Sequence, residues 1–95
     1  MQYIETKRWI VVFRALANIN RLQIITMLVG GRELNVKSIA RNLHISFTAT
    51  SNHLALLRNL DVVEAHGKAE HVFYSLNPNL PKDFKKVIDV LLAFK

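Results

Sequence analysis

Residues 35–60 read NVKSIARNLHISFTATSNHLALLRNL, two short helical patterns separated by a tight break. Asn35 stands where an N-cap belongs, and Val36, Ile39, Ala40 and Leu43 follow at helical spacing on one face. The turn falls at His44-Ile45. Ser46 can then cap a second helix, whose inward stripe is Ala49, His53, Leu54 and Leu57. Phe47, Thr48, Ser51 and Asn52 are left facing outward, with Thr50 half inward. This is the pattern of a helix-turn-helix over about 36–59. The stretch contains Lys37, Arg41 and Arg58 and neither Asp nor Glu, so a polyanion can approach it without meeting a carboxylate.

Upstream, residues 4–17 predict a helix with Trp9, Val12, Phe13 and Leu16 on one stripe and Ile4, Ile10, Val11 and Ala17 wrapping beyond it. Asn20 is the expected cap of a second helix carrying Leu22, Ile25, Leu28 and Val29, which Gly30-Gly31 ends. Downstream, Val62-Val63 and Val72-Phe73-Tyr74-Ser75-Leu76 flank the polar tip His66-Gly67-Lys68-Ala69, which predicts a β-hairpin wing over about 62–76. After Pro78 and Pro81, residues 82–94 predict a last helix with Phe84, Val87, Ile88 and Leu91 on one stripe and Val90, Leu92 and Phe94 on another side. The expected fold is mainly α with a small wing, in the order α-α-α-α-β-β-α, forming one winged helix-turn-helix domain over residues 1–95. Both terminal helices carry more apolar surface than one core can bury. That predicts an isologous dimer through Ile4, Trp9, Ile10, Val11, Phe84, Val87, Ile88, Leu91 and Leu92. The competing arrangement is a monomer whose terminal helices pack on each other.

Composition narrows the function. With 95 residues, 51% of them apolar, and few Gly or Pro, the chain predicts one folded core rather than a multidomain enzyme or a disordered segment. A formal charge of +6 suits a polyanionic partner, its distribution more so than its sum. The absence of cysteine excludes disulfides, thiolate metal ligands and thiol nucleophiles. No signal-peptide h-region opens the chain and no apolar run approaches the roughly 18 residues of a membrane span. A cytoplasmic protein with no membrane partner is therefore expected. There is no nucleophile elbow, phosphate-cradling glycine loop or metal-hydrolase helix, and Ser51 and His53 lie on different helix faces. Neither an enzyme nor a small-molecule substrate or cofactor is expected.

Phe13-Arg14-Ala15-Leu16-Ala17-Asn18 with Arg21-Leu22 resembles the opening of the ArsR-type winged helix-turn-helix repressors. Ser46 to Leu54 resembles their recognition helix, and Val72 to Leu76 the strand that closes their wing. The resemblance runs from about Phe13 to Pro78. It implies a homodimeric transcription regulator, usually a repressor, on an imperfect inverted repeat and often released by a metal ion or another signal. The family's cysteine site would fall near Glu33-Leu34-Asn35-Val36-Lys37, which has no thiol, and its Asp and His site on the final helix, which has Asp83 and Asp89 but no histidine. Neither carries over. His44 and Asp61 stand where the family often has Gly, so each is expected at positive φ.

Base readout is expected from Phe47, Thr48, Ser51 and Asn52. Asn can pair with adenine through two hydrogen bonds, Ser and Thr serve several bases, and an apolar ring can lie on a thymine methyl. Backbone contacts are expected from Lys37, Arg41, Ser46, Thr50, His66 and Lys68, which add affinity without sequence information. For Arg58, packing or an internal bond competes. Two other functions compete with sequence-specific DNA binding. One is a winged helix used as a protein-interaction module. The other is a metal-responsive repressor in which His66 and His71 meet across the hairpin with Glu64 or Glu70, although a wing histidine is more often exposed or turned to phosphate. His53, on the inward stripe, is expected to be a satisfied buried or interface histidine.

Overall fold

A computed structural model describes residues 1–94. The elements are α1 (Tyr3–Leu16), α2 (Ile19–Leu28), β1 (Leu34–Asn35), α3 (Val36–Leu43), α4 (Phe47–Asn59), β2 (Val63–Lys68), β3 (His71–Leu76) and α5 (Lys82–Ala93). The sheet is antiparallel in the order β1-β3-β2. This is a winged helix-turn-helix with one element more than expected. β1 has only two residues, too few to show a period, and it exists because Leu34 and Asn35 dock opposite Tyr74 and Phe73.

Caps set where the helices begin. Asn35 accepts from the Ser38 N–H at 2.8 Å and Ser46 from the Ala49 N–H at 3.0 Å, as expected. For α2 the cap is Asn18, not Asn20. Its extended backbone turns the side-chain carbonyl onto the Asn20 and Arg21 N–H groups at 3.0 and 3.2 Å. His44 and Asp61 hold positive φ, 57° and 62°, and Ala69 joins them at 54°. Ala69 marks the real tip of the wing. The strands run through to Lys68 and from His71, so the loop is Ala69-Glu70, and His66, Gly67 and Lys68 belong to β2.

The core gathers Val12, Leu16, Ile24, Leu28, Ile39, Leu54, Leu57, Val62 and Phe84 beneath the inner face of the sheet, where Leu34, Val63, Tyr74 and Leu76 alternate inward. Phe84 and Ile88 were expected at a dimer interface, yet both are buried inside the protomer, at 0% and 2% exposure. They lie on the stripe of α5 that faces the core. An ion pair between Arg8 and Asp83, 2.7 Å, fastens α1 to α5 across that packing. Trp9, Val87 and Leu92 are partly buried against the same core. Phe13, expected inward, is exposed and stacks on Trp9 at 5.7 Å. Apolar surface remains on both terminal helices: Ile4, Ile10, Val11 and Phe13 on α1, and Val90, Leu91 and Phe94 at the end of α5. Among the described residues, no single helix is long and apolar enough to cross a membrane; α1 and α2 pass that test only as a pair, bent by 82°.

Candidate nucleic-acid interface

α4 buries Thr50, Leu54 and Leu57, at spacings of four and three, so the opposite side of its first two turns must face away from the core. That side carries Phe47, Thr48 and Asn52, all exposed, with Ser51 at its half-buried edge. Among the described residues, the side chains of Thr48, Ser51 and Asn52 make no hydrogen bond to the rest of the protein. Ser46 closes the start of the helix while its hydroxyl hydrogen stays free to donate, and the positive end of the helix dipole lies beside it. The exposed Lys37 and Arg41 on α3 flank the same region, and Arg58 is exposed at the far end of α4.

Thr50, expected to touch the DNA backbone, has no surface to offer a duplex. It is fully buried, and its hydroxyl donates to the Ser46 carbonyl at 2.9 Å. A threonine four residues after a cap residue satisfies itself inside the helix when its spacing matches the buried stripe.

The wing is more engaged with itself than its charges suggest. Lys68 Nζ lies 2.8 Å from Glu33 Oε2, and this hydrogen bond holds the Glu33 carboxyl below its ordinary range. His66 Nε2 is bonded to Ser75 Oγ at 3.0 Å and lies 3.5 Å from Glu64 Oε2. The register sets His66 opposite Phe73 and His71 opposite Lys68, so the two histidines are not a facing pair. Among the described residues no three His, Asp or Glu side chains gather closely enough to hold a metal ion.

Two residues carried no role at the site in the sequence reading. Val72 continues the inward alternation of β3 past the end of the core, and so emerges exposed in a notch that Phe47, Lys37 and His71 also line. Its signal was the same alternation followed one step further. Arg21 lies between helices: its Nε donates to the Ala15 carbonyl at 2.6 Å and its Nη2 to the Arg14 carbonyl at 3.0 Å, while Nη1 stands 3.2 Å from Nδ1 of His53 on α4. The half-buried His53 ring is held below its ordinary pKa by burial first and by the Arg21 charge second.

Comparison with known proteins agrees with this geometry. The family model described as bacterial regulatory protein, arsR family, matches residues 18–65. The transcriptional repressor SdpR of Bacillus subtilis is 33% identical over 72 residues, covering 76% of this chain and 79% of SdpR. The transcriptional activator HlyU of Vibrio cholerae is 38% identical over 82 residues, covering 86% of this chain and 72% of HlyU. The solved structure of HlyU from Vibrio cholerae superposes with a TM-score of 0.80 at 33% identity, covering 98% of this chain and 97% of that one.

Proposed function

Since the chain belongs to the ArsR family of bacterial regulatory proteins, DNA-binding transcriptional regulators rather than enzymes, we propose that it acts as a homodimeric repressor on a pseudo-palindromic operator. The observation that carries this reading is the outer side of α4: a capped N-terminus and free Thr48, Ser51 and Asn52 side chains, flanked by exposed Lys37 and Arg41, in a stretch with no carboxylate. In this reading Phe47, Thr48, Ser51 and Asn52 read base edges in the major groove. Lys37, Arg41 and Ser46 hold phosphates, joined by Lys68 and His66 when the wing's internal bonds open. The whole chain works as one domain in the cytoplasm, and it does so without a cysteine-based metal switch.

The apolar residues left exposed on α1 and α5 support the dimer, with Ile4, Ile10, Val11 and Leu91 at its centre and Trp9, Val87 and Leu92 beneath them. An isologous interface there makes the operator two-fold and sets its half-sites about 34 Å apart, one helical turn. Occupancy of such a site at a promoter excludes the polymerase, which is why repression is the reading.

The test is binding of the purified protein to the DNA upstream of its own gene against a scrambled duplex, by fluorescence anisotropy at two salt concentrations. At least a hundredfold preference for the upstream fragment, about 2.7 kcal/mol, is expected. A reporter driven by that fragment should fall when the protein is expressed. Equal, steeply salt-dependent binding to both duplexes would refute sequence-specific action there, and a rising reporter would replace repression with activation.

A further inference from the structure

We infer that Arg21 is a positioning residue for DNA readout that acts through His53, locking the recognition helix α4 to the C-terminal end of α1, and that the lock opens when His53 takes a proton. This rests on the DNA-binding reading above. The last carbonyls of a helix have no partners within it and form the negative end of its dipole. Arg21, at the start of α2, supplies donors to two of them, from Arg14 and Ala15, and spends a third nitrogen on His53. One guanidinium thus touches three helices, two of which it does not belong to.

The tautomer follows from the donor count. A guanidinium only donates, so Nδ1 of His53 must accept, and the ring is neutral with its hydrogen on Nε2. A protonated ring has no lone pair on Nδ1 and sets a second positive charge beside Arg21. The contact then changes from an attraction into a repulsion.

Among the described residues, no carboxylate acts on the ring to compensate. α2 presents Arg21 to the ring, and α1 presents backbone carbonyls to Arg21 rather than to His53. The charged residues of α3 nearest the interface, Lys37 and Arg41, are exposed. Those of β2 are engaged on the wing, Glu64 with His66 and Lys68 with Glu33. Arg21 is the charge that acts on the ring. Opening the contact frees α4 from α1, and with it the alignment between the recognition helix and the apolar surface of α1.

The sign of the effect separates this site from the other histidines. A gain of positive charge on the exposed surface strengthens binding to any duplex, operator and scrambled alike. Protonating His53 misplaces α4, so the preference for operator over scrambled DNA falls. The experiment measures that ratio from pH 8 to pH 5.5 for the wild type, His53→Gln and Arg21→Met. The wild-type ratio should drop by about tenfold, the worth of one charge-assisted hydrogen bond. His53→Gln, which keeps an acceptor but cannot titrate, should hold its ratio across the range, and Arg21→Met should show the reduced ratio already at pH 8. Should Arg21→Met fail to fold, the His53→Gln profile decides, together with an NMR titration expected to find His53 protonating below its ordinary 6.5 with the neutral hydrogen on Nε2. A flat wild-type ratio, or a His53→Gln profile as steep as the wild type's, would overturn the proposal. No operator preference at pH 8 in any variant would instead overturn the DNA-binding reading, and this inference with it.

Discussion

Replacing Phe84 by Ala tests whether α5 is chiefly a core element or chiefly a dimer element. The ring is wholly buried among the core residues of the protomer, with the Arg8 guanidinium 5.5 Å above its centre. Removing it takes away a large apolar side chain and leaves a cavity that helices pinned by the Arg8–Asp83 bridge cannot easily close. Such a change costs about 3–5 kcal/mol. A chain of 95 residues has a total stability of roughly 5–14 kcal/mol, so the variant should sit close to the edge of folding. The assay is urea denaturation followed by circular dichroism at two protein concentrations about a hundredfold apart. If unfolding is linked to dissociation, the wild type itself gains about 2.7 kcal/mol from that dilution ratio. The deficit of Phe84→Ala relative to the wild type should nonetheless be the same at both concentrations, because the lost contacts lie within one chain. Leu91→Ala, from an exposed position on the same helix, should instead make the protein dissociate at higher concentration with a small loss within the protomer. A Phe84→Ala deficit below about 1 kcal/mol, or one that disappears at high concentration, would refute the placement of Phe84 in the protomer core.

Asn52→Ala should lower operator affinity by about 1–3 kcal/mol while leaving binding to random DNA unchanged, and equal losses on both in a competition titration would remove Asn52 from base readout. Thr50→Val should leave DNA binding intact and lower stability by about 0.5–1.5 kcal/mol, since only its internal bond to the Ser46 carbonyl is lost. Lys68→Ala should weaken binding to every duplex and reduce the salt slope by about one; Glu33→Gln, which releases the same lysine, should strengthen it. Acid should remove stability in two windows. His53 has a folded pKa below its ordinary 6.5, so the unfolded chain takes the proton first and stability falls as pH drops below that value. Asp83 is held below its ordinary 3.8, chiefly by its hydrogen bond to Arg8, so its contribution is intact above that pH and lost as pH falls through the depressed value. Denaturation midpoints measured from pH 8 down to about pH 1.5, with His53→Gln and Asp83→Asn each removing one window, check both.

What the sequence revealed depended on how local each cause was. The recognition helix was legible because its cap, its buried stripe and its outward polar residues all act within a few positions of one another. The positive φ at His44 and Asp61 was legible from the family resemblance, which sets Gly at both places. β1 was not, because its two residues are a strand only by virtue of β3, some forty positions away. The wing tip was displaced because Gly67 looks like a turn residue, whereas the positive φ falls on Ala69. Thr50 and Phe84 show the same difficulty from the other direction. A threonine suits a surface, and a phenylalanine suits an interface between chains as well as a core; only the helix azimuth, fixed by packing, turns both into the protomer. Arg21 gave no periodic signal, since its meaning lies in carbonyls that become available when α1 ends.

Asn35 belongs to two elements at once: its backbone pairs with Phe73 in the sheet while its side chain caps α3. The wing and the first helix of the helix-turn-helix are thereby riveted together, so the strands of the wing and α3 move as one piece. A duplex that meets both must do the adjusting. Bending or narrowing a groove costs an energy that depends on base composition, least at flexible pyrimidine–purine steps. On the proposed reading, positions in the operator that no side chain touches are expected to be selected as well, for their pliancy.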